Sequence, residues 1–96
     1  MNTFMVYIIY SEKLNRFYIG TTDHFSERLK KHNEGYFEDA FSVKGVPWEE
    51  FLIIDQLSSS QALKMEKHIK SMKSSTYIRN LKKYSEMVEK LILRFK

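Results

Sequence analysis

The sequence predicts a mixed α/β fold (α+β) in which helices flank a small three-stranded sheet. Residues 4–10 and 16–20 are short segments rich in β-branched and aromatic side chains, separated by a polar turn. A third such segment follows at residues 48–57. Apolar residues spaced three and four apart predict helices between and after these strands. The expected order of elements is therefore strand, strand, helix, strand, helix, helix.

Length and composition are those of one domain. The chain has 96 residues, of which 43% are hydrophobic and 29% charged, so we expect a single core over residues 1–96. Because the chain contains no cysteine, disulfides, thiolate catalysis and thiolate zinc sites are excluded. Its longest apolar run, residues 4–10, is too short to span a membrane, and the start does not have the pattern of a signal peptide. We therefore expect a cytoplasmic protein that does not bind membranes.

The strand segments carry the most specific expectations about geometry. The first two must pair as an antiparallel hairpin, because so short a connection permits no other arrangement. Gly20 ends the second strand, and its missing Cβ lets the backbone turn sharply or lets another group approach closely. The third strand contains a continuous apolar block at residues 51–54, as expected of a strand covered on both faces. We therefore expect the third strand to be central.

The helical segments are predicted from apolar spacing and from capping residues. The first runs over about 23–33, where Thr22 or Asp23 could accept hydrogen bonds from the amides of the first turn. Its expected buried side is formed by Phe25 and Leu29. Ser58, Ser59 or Ser60 could cap the second helix, which has an apolar stripe of Ala62, Met65, Ile69 and Met72. Helical spacing resumes from Tyr77, and residues 36–47 are predicted to form a loop.

Positive charge is concentrated in the last third of the chain. Residues 1–63 carry six Lys/Arg and nine Asp/Glu, whereas residues 64–96 carry ten and three, a net charge of +7. Such a cluster favours a polyanionic partner, because each neutralised phosphate releases condensed counterions. The structural alternative is a solvated helical face. The candidate nucleic-acid-binding residues are Lys64, Lys67, Lys70, Lys73, Arg79, Lys82 and Lys83.

Glu66 is the most informative carboxylate, because it stands at the border of the apolar stripe of its helix. It could form an ion pair with Lys70, four residues later, which is a purely structural role. It could also bind a hard divalent cation such as Mg²⁺, completed by water and a substrate phosphate. Arg28 and His32 share one face of the first helix. Each residue taken alone is compatible with a structural role.

Along the chain, Met5-Val6-Tyr7 is followed by Tyr18-Ile19-Gly20, then by Arg28 and His32 on one helix, then by Glu66 and Asn80. This order resembles the GIY-YIG nuclease superfamily. The similarity runs from about residue 4 to residue 80, and leaves residues 81–96 as a helical extension. It is greatest to small stand-alone bacterial members related to the N-terminal nuclease domain of excinuclease C. The second family motif, Tyr-Ile-Gly, is intact at residues 18–20. The first motif, Gly-Ile-Tyr, is replaced by Met5-Val6-Tyr7 and keeps only its tyrosine. The matching residues are Met5-Val6-Tyr7, Tyr18-Ile19-Gly20, Arg28, His32, Glu66 and Asn80.

The resemblance implies roles for the residues around the hairpin. Tyr7 and Tyr18 would be the paired active-site phenols, and Arg28 would contact the scissile phosphate. His32 would assist in hydrogen bonding or proton transfer. We hypothesise that Tyr7 activates the attacking water and that Tyr18 helps to position or deprotonate it, although the two roles could be exchanged. A tyrosine base needs a lowered pKa, unless the phenol relays a proton without becoming phenolate.

The resemblance also implies a metal and a substrate. Glu66 would hold one divalent cation, Mg²⁺ or Mn²⁺, since a single carboxylate argues against a two-metal site. Asn80 would support the site. The substrate would be DNA, with branched or damaged structures possible, in DNA repair or processing. Some members carry a lysine where this chain has Thr21, which leaves Lys30 or Lys31 as substitutes, or no lysine at all.

Two other functions fit the same sequence. One is a nucleic-acid-binding module that keeps this scaffold without catalysis. The other is a protein-interaction module that uses the aromatic residues of the loop at 36–48, among them Tyr36, Phe37 and Phe41.

Overall fold

The computed structural model of the chain describes residues 3–35 and 43–96. The described part contains a three-stranded antiparallel sheet and four helices, so the predicted mixed α/β fold is confirmed. Tyr36, Phe37 and Phe41 lie outside the described residues. The elements are β1 (Phe4–Ser11), β2 (Arg16–Thr22), α1 (Phe25–Asn33), β3 (Trp48–Leu57), α2 (Ser59–Met72), α3 (Ser75–Lys83) and α4 (Ser85–Arg94).

The central strand is β1, and the sheet order is β2-β1-β3. Our expectation that the third strand is central was wrong. In β1, residues 6–9 are all buried, because this strand has a hydrogen-bonded neighbour on each side and helices on both faces. In β3, Glu49, Glu50 and Asp55 are exposed, as edge strands commonly are. An apolar block of four residues is thus compatible with an edge strand when its ends are charged.

The two faces of the sheet form two separate cores. Val6 and Ile8 point into the larger core, which they share with α2, α3 and α4. Tyr7 and Ile9 point to the opposite face, where they form a smaller core with Trp48. Helix α1 packs against this smaller core, through the predicted Phe25 and Leu29. The alternation of side chains along β1 therefore places Tyr7 under α1.

The last residue of α1 ties that helix to the start of β3. The Asn33 side-chain amide donates a hydrogen bond to the Trp48 carbonyl oxygen at 3.1 Å, and the Trp48 amide donates to Asn33 Oδ1 at 2.6 Å. Asn33 thus satisfies both backbone groups of Trp48, as a neighbouring strand would. Because His32 precedes Asn33, the same clamp fixes the position of His32 over the sheet.

Helix starts agree with the predicted caps in one case and differ in another. Ser58 Oγ accepts from the Gln61 amide at 3.1 Å, as predicted for α2. At α1, no side chain caps the first turn, so the expectation for Thr22 or Asp23 was wrong. This helix begins after His24, so Thr22 lies before the position from which a side chain caps the first turn. Thr22 Oγ1 instead accepts a hydrogen bond from the His24 amide at 3.1 Å. Within residues 3–35 and 43–96, every helix is too short or too polar to cross a bilayer.

Candidate active site

Tyr7 lies at the centre of the candidate site. Its residue surface is 2% exposed, and its hydroxyl is 3.0 Å from His32 Nε2. The two residues come from different elements, β1 and α1, and their ring centroids are 6.0 Å apart. A buried phenol hydroxyl needs such a partner, because leaving it unpaired costs about 1–3 kcal/mol. The structure therefore brings together two of the residues that the sequence singled out.

Gly20 makes room for the Tyr7 ring. The two residues are directly opposite each other in the β1–β2 pairing. A Cβ built on Gly20 would overlap the Tyr7 hydroxyl and would come within 2.5 Å of Cζ and 2.8 Å of Cε1. The ring therefore crosses the neighbouring strand at the one place where that strand has no side chain. The expectation that Gly20 admits a close approach is confirmed, and the approaching group is the phenol of Tyr7. The expectation that Gly20 ends the second strand was wrong, because β2 stays paired with β1 as far as Thr22.

Tyr18 is the second phenol of the same cluster. Its ring is stacked with that of Tyr7 at a centroid distance of 6.4 Å and an interplanar angle of 20°. It also meets the His32 ring edge-on at 4.7 Å and the Trp48 ring at 6.0 Å. Trp48 was missed as a site residue by sequence reasoning, and its being the only tryptophan was the sole signal. The four rings form a continuous wall built from all three strands and α1.

The electrostatics of Tyr7 link the site to two charged residues. Burial raises the pKa of the Tyr7 phenol well above its ordinary value of 10.0, and the neighbouring Tyr18 raises it further. The Arg28 guanidinium lowers this pKa, and the Glu66 carboxylate raises it. Both charges therefore act on the same phenol, although Arg28 is in α1 and Glu66 is in α2. Because burial outweighs Arg28, the folded protein favours the neutral phenol.

Glu66 forms the ion pair that the sequence offered as its structural role. Lys70 Nζ is 2.6 Å from Glu66 Oε2, and the Glu66 side chain is only 17% exposed, against 53% for Lys70. The pair has the favourable Glu-to-Lys spacing of four residues on α2. The lysine hydrogen-bonds one of the two carboxylate oxygens. Glu66 thus carries a partly compensated negative charge, which acts on the phenol of Tyr7.

The donor set fits one kind of metal site. Within the described residues no group of three or more Asp, Glu, His or Cys side chains is placed to cage an ion. Mg²⁺ does not require such a cage, because it usually keeps several waters and binds through one or two carboxylates and substrate phosphates. Glu66, the carboxylate that acts on Tyr7, is suited to that arrangement.

The predicted cations separate into different surfaces. Lys70 and Lys73 line a groove of about 430 Å³ beside β2, together with Tyr18. Lys64 and Lys67 instead line a separate depression of about 370 Å³. The four lysines that recur every three residues along α2 therefore do not form one continuous basic surface.

The cations of α3 stand over aromatic rings. Arg79 lies 5.1 Å from the Phe17 ring centroid, and Lys82 lies 4.7 Å from that of Phe51. Lys83 is similarly placed over Tyr84, at 5.4 Å. The half-buried Asn80 is on the same helix, where its backbone carbonyl accepts from the Tyr84 amide at 2.8 Å. Among the interactions of the described residues, no hydrogen bond joins the Asn80 side chain to the aromatic cluster.

A family model described as the GIY-YIG catalytic domain matches residues 3–84 of the chain. This match covers β1 through α3 and includes every residue of the candidate site. No curated protein matches the sequence.

We expect Gly20→Ala to destabilise the protein by about 1–3 kcal/mol, the usual cost of overpacking a filled site. The added methyl group would displace the Tyr7 ring, and with it the bond to His32. Urea unfolding should show the loss, whereas the neighbouring Thr21→Ala should cost less. The double variant Tyr7→Leu/Gly20→Ala should recover part of the loss, since leucine ends before the region of overlap. Equal losses in Gly20→Ala and Thr21→Ala would contradict this account.

We expect Tyr7 to make the protein sensitive to alkaline pH. Because its pKa is raised on folding, the stability that its neutral form contributes is complete below about pH 10 and is lost as pH rises towards the folded-state pKa. The unfolding free energy of wild type should therefore fall above about pH 10 more steeply than that of Tyr7→Phe, by up to about 1.4 kcal/mol per pH unit. Tyr10→Phe is the matched control and should follow wild type. Parallel curves for wild type and Tyr7→Phe would show that burial does not hold this phenol neutral.

Proposed function

The chain belongs to the GIY-YIG family, whose domains are nucleases, and from this premise we propose that it is a metal-dependent endonuclease that hydrolyses phosphodiester bonds of DNA. One observation carries the proposal. The phenol of Tyr7 is stacked with Tyr18 and is acted on by both Arg28 and Glu66. Arg28 and Glu66 are thus a cation and a carboxylate whose charges both act on the phenol of Tyr7, and phosphodiester hydrolysis uses groups of these kinds.

The charged residues have complementary roles at the phosphate. Arg28 would pair with the non-bridging oxygens of the scissile phosphate, where negative charge grows as the water attacks. Glu66 would hold one Mg²⁺ or Mn²⁺ ion. When bound, such an ion supplies charge neutralisation at the phosphate and at the leaving 3′ oxygen. Lys70 would keep the Glu66 carboxylate oriented through their ion pair.

The Tyr7–His32 pair suggests a relay in place of a stable phenolate. The raised pKa of Tyr7 argues against an ionised phenol waiting as base. We propose that the attacking water passes a proton to Tyr7 Oη while the Tyr7 hydroxyl proton moves to His32 Nε2, 3.0 Å away. The water oxygen then bonds to phosphorus, the bond to the 3′ oxygen breaks, and the leaving oxygen takes a proton from a solvent water. His32 afterwards returns its extra proton to solvent. Tyr18, the more exposed phenol, would position the water.

Binding of DNA would rest on contacts with its backbone. Lys70 and Lys73, in the groove beside Tyr18, are suited to phosphates that flank the scissile bond. No base-reading motif is present in the sequence, so recognition of backbone or of DNA shape is the natural mode, and affinity should fall steeply as salt rises. We propose that the substrates include branched and damaged DNA, and that the protein acts in DNA repair or processing.

The decisive experiment compares cleavage and binding in two variants. Purified wild type, Tyr7→Phe and Glu66→Ala are incubated with branched, single-stranded and duplex DNA, with and without Mn²⁺. We expect wild type to nick DNA only with metal, Tyr7→Phe to lose about 10²–10⁴-fold in rate, the range ascribed to acid–base catalysis, and Glu66→Ala to lose metal-dependent cleavage. DNA affinity, measured by fluorescence anisotropy, should change less than about twofold in Tyr7→Phe, because a buried hydroxyl makes no backbone contact.

Two matched controls separate chemistry from folding. Tyr10→Phe removes a hydroxyl from the same strand, one that donates to Asn15 Oδ1. Glu89→Ala removes an exposed carboxylate from α4. Both should cleave like wild type, and thermal melts should show all four variants folded. Retained turnover in Tyr7→Phe would exclude the relay, and metal-independent binding with no nicking of any substrate by wild type would favour a non-catalytic binding module.

A further inference from the structure

A second basic depression lies away from the candidate active site. It has a volume of about 370 Å³, within the lower part of the range of about 300–1,000 Å³ typical of ligand sites. Among the described residues that line it there are three cations and a histidine, but no carboxylate. The lining residues are Lys64, Lys67, His68, Ser71, Arg94 and Phe95.

This depression is on the opposite flank of α2 from Glu66. Successive helical residues are rotated by about 100°, so Lys64 and His68, each two positions from Glu66, are about 160° from it around the axis. Lys67 is about 100° away on the solvent side. The buried stripe of α2 lies between the two flanks and faces the sheet. The body of the helix, about 10–12 Å across, therefore separates the depression from the carboxylate.

Two side chains of the depression, Arg94 and His68, contact aromatic rings. The Arg94 guanidinium lies 5.2 Å from the Phe95 ring centroid, and the His68 ring lies 5.4 Å from the same ring. His68 also meets the Tyr77 ring edge-on at 6.2 Å. Arg94, from α4, is thereby brought beside the cations of α2, although it is far from them in sequence. Packing of this kind lowers the entropy lost when a ligand binds.

We infer that this depression binds the phosphate backbone of a second nucleic-acid segment, distinct from the one held at the Tyr7–Glu66 site. The inference rests on the proposed function and extends it. A surface with three cations, one of them Arg94 on the Phe95 ring, and no lining carboxylate is suited to a polyanion, and phosphates are the groups that nucleic acids present without regard to sequence. The two surfaces are on opposite flanks of α2, and duplex DNA is stiff over about 150 base pairs, so we expect one straight duplex to follow one flank only. A substrate with two arms can contact both flanks.

The test measures binding of a three-way junction and of a short linear duplex in EDTA, so that cleavage does not interfere. The triple variant Lys64→Gln/Lys67→Gln/Arg94→Gln removes the cations of the depression. We expect its affinity for the junction to fall at least about tenfold near 0.1 M salt, and its affinity for the duplex to fall less than about twofold. The slope of log Kd against log salt for the junction should decrease by about 2–3, since each phosphate contact contributes about 0.9.

The matched control is Lys13→Gln/Lys44→Gln/Lys90→Gln, which makes the same change in net charge at exposed positions outside the two sites. It should keep the junction preference of wild type. The double variant Lys64→Gln/Lys67→Gln leaves Arg94 on Phe95 and should show an intermediate loss if the triple variant folds poorly.

Three outcomes would overturn the inference. The first is an equal loss of affinity for junction and duplex, and the second is an equal loss in the control variant. The third is stronger binding of wild type to vesicles containing phosphatidylserine than to the junction, abolished by the triple variant. Failure of the nuclease proposal gives a different result. In that case wild type does not cleave DNA, or Tyr7→Phe cleaves as wild type does, while the junction preference measured in EDTA is unaffected.

Discussion

The crossing of the Tyr7 ring over Gly20 is the constraint on which the rest of the candidate site depends. The ring fits only because the opposite residue of β2 has no side chain, and it ends 3.0 Å from His32. This contact joins β1, β2 and α1 on that face of the sheet. The same burial that makes the hydrogen bond necessary also raises the pKa of the phenol. Burial of the Tyr7 ring therefore determines both its hydrogen bond to His32 and the protonation of its phenol.

Helix α2 joins the sheet to the charged surfaces because its flanks face different neighbours. Its apolar stripe of Ala62, Met65 and Ile69 is buried against β1 and the other helices. One flank carries Glu66, whose charge reaches Tyr7. The other flank contributes to the basic depression beside α4. A single amphipathic helix thus fixes both the carboxylate and a separate cationic surface relative to the phenols.

The hydrogen bonds between Asn33 of α1 and Trp48 of β3 position the fourth ring of the aromatic cluster. Asn33 satisfies both backbone groups of Trp48, whose indole then meets Tyr18. This arrangement fixes Trp48 at the start of an edge strand, where one side has no neighbouring strand to hold it. It also fixes the C-terminal turn of α1, which contains His32. The proton relay proposed for Tyr7 and His32 needs such rigidity, which these contacts supply from outside the two residues.

Local chemistry in the sequence determined the elements, the approach at Gly20 and the Glu66–Lys70 pair, because strand alternation, helix spacing and a missing Cβ act over a few residues. Strand order was decided only by tertiary structure, since an apolar block does not reveal how many strands flank it. The pKa of Tyr7 was likewise decided by burial, which no spacing encodes. The division of the lysines of α2 between two surfaces followed from the packing of β2 and α3 beside one pair and of α4 beside the other, because helical rotation places charges but not their neighbours.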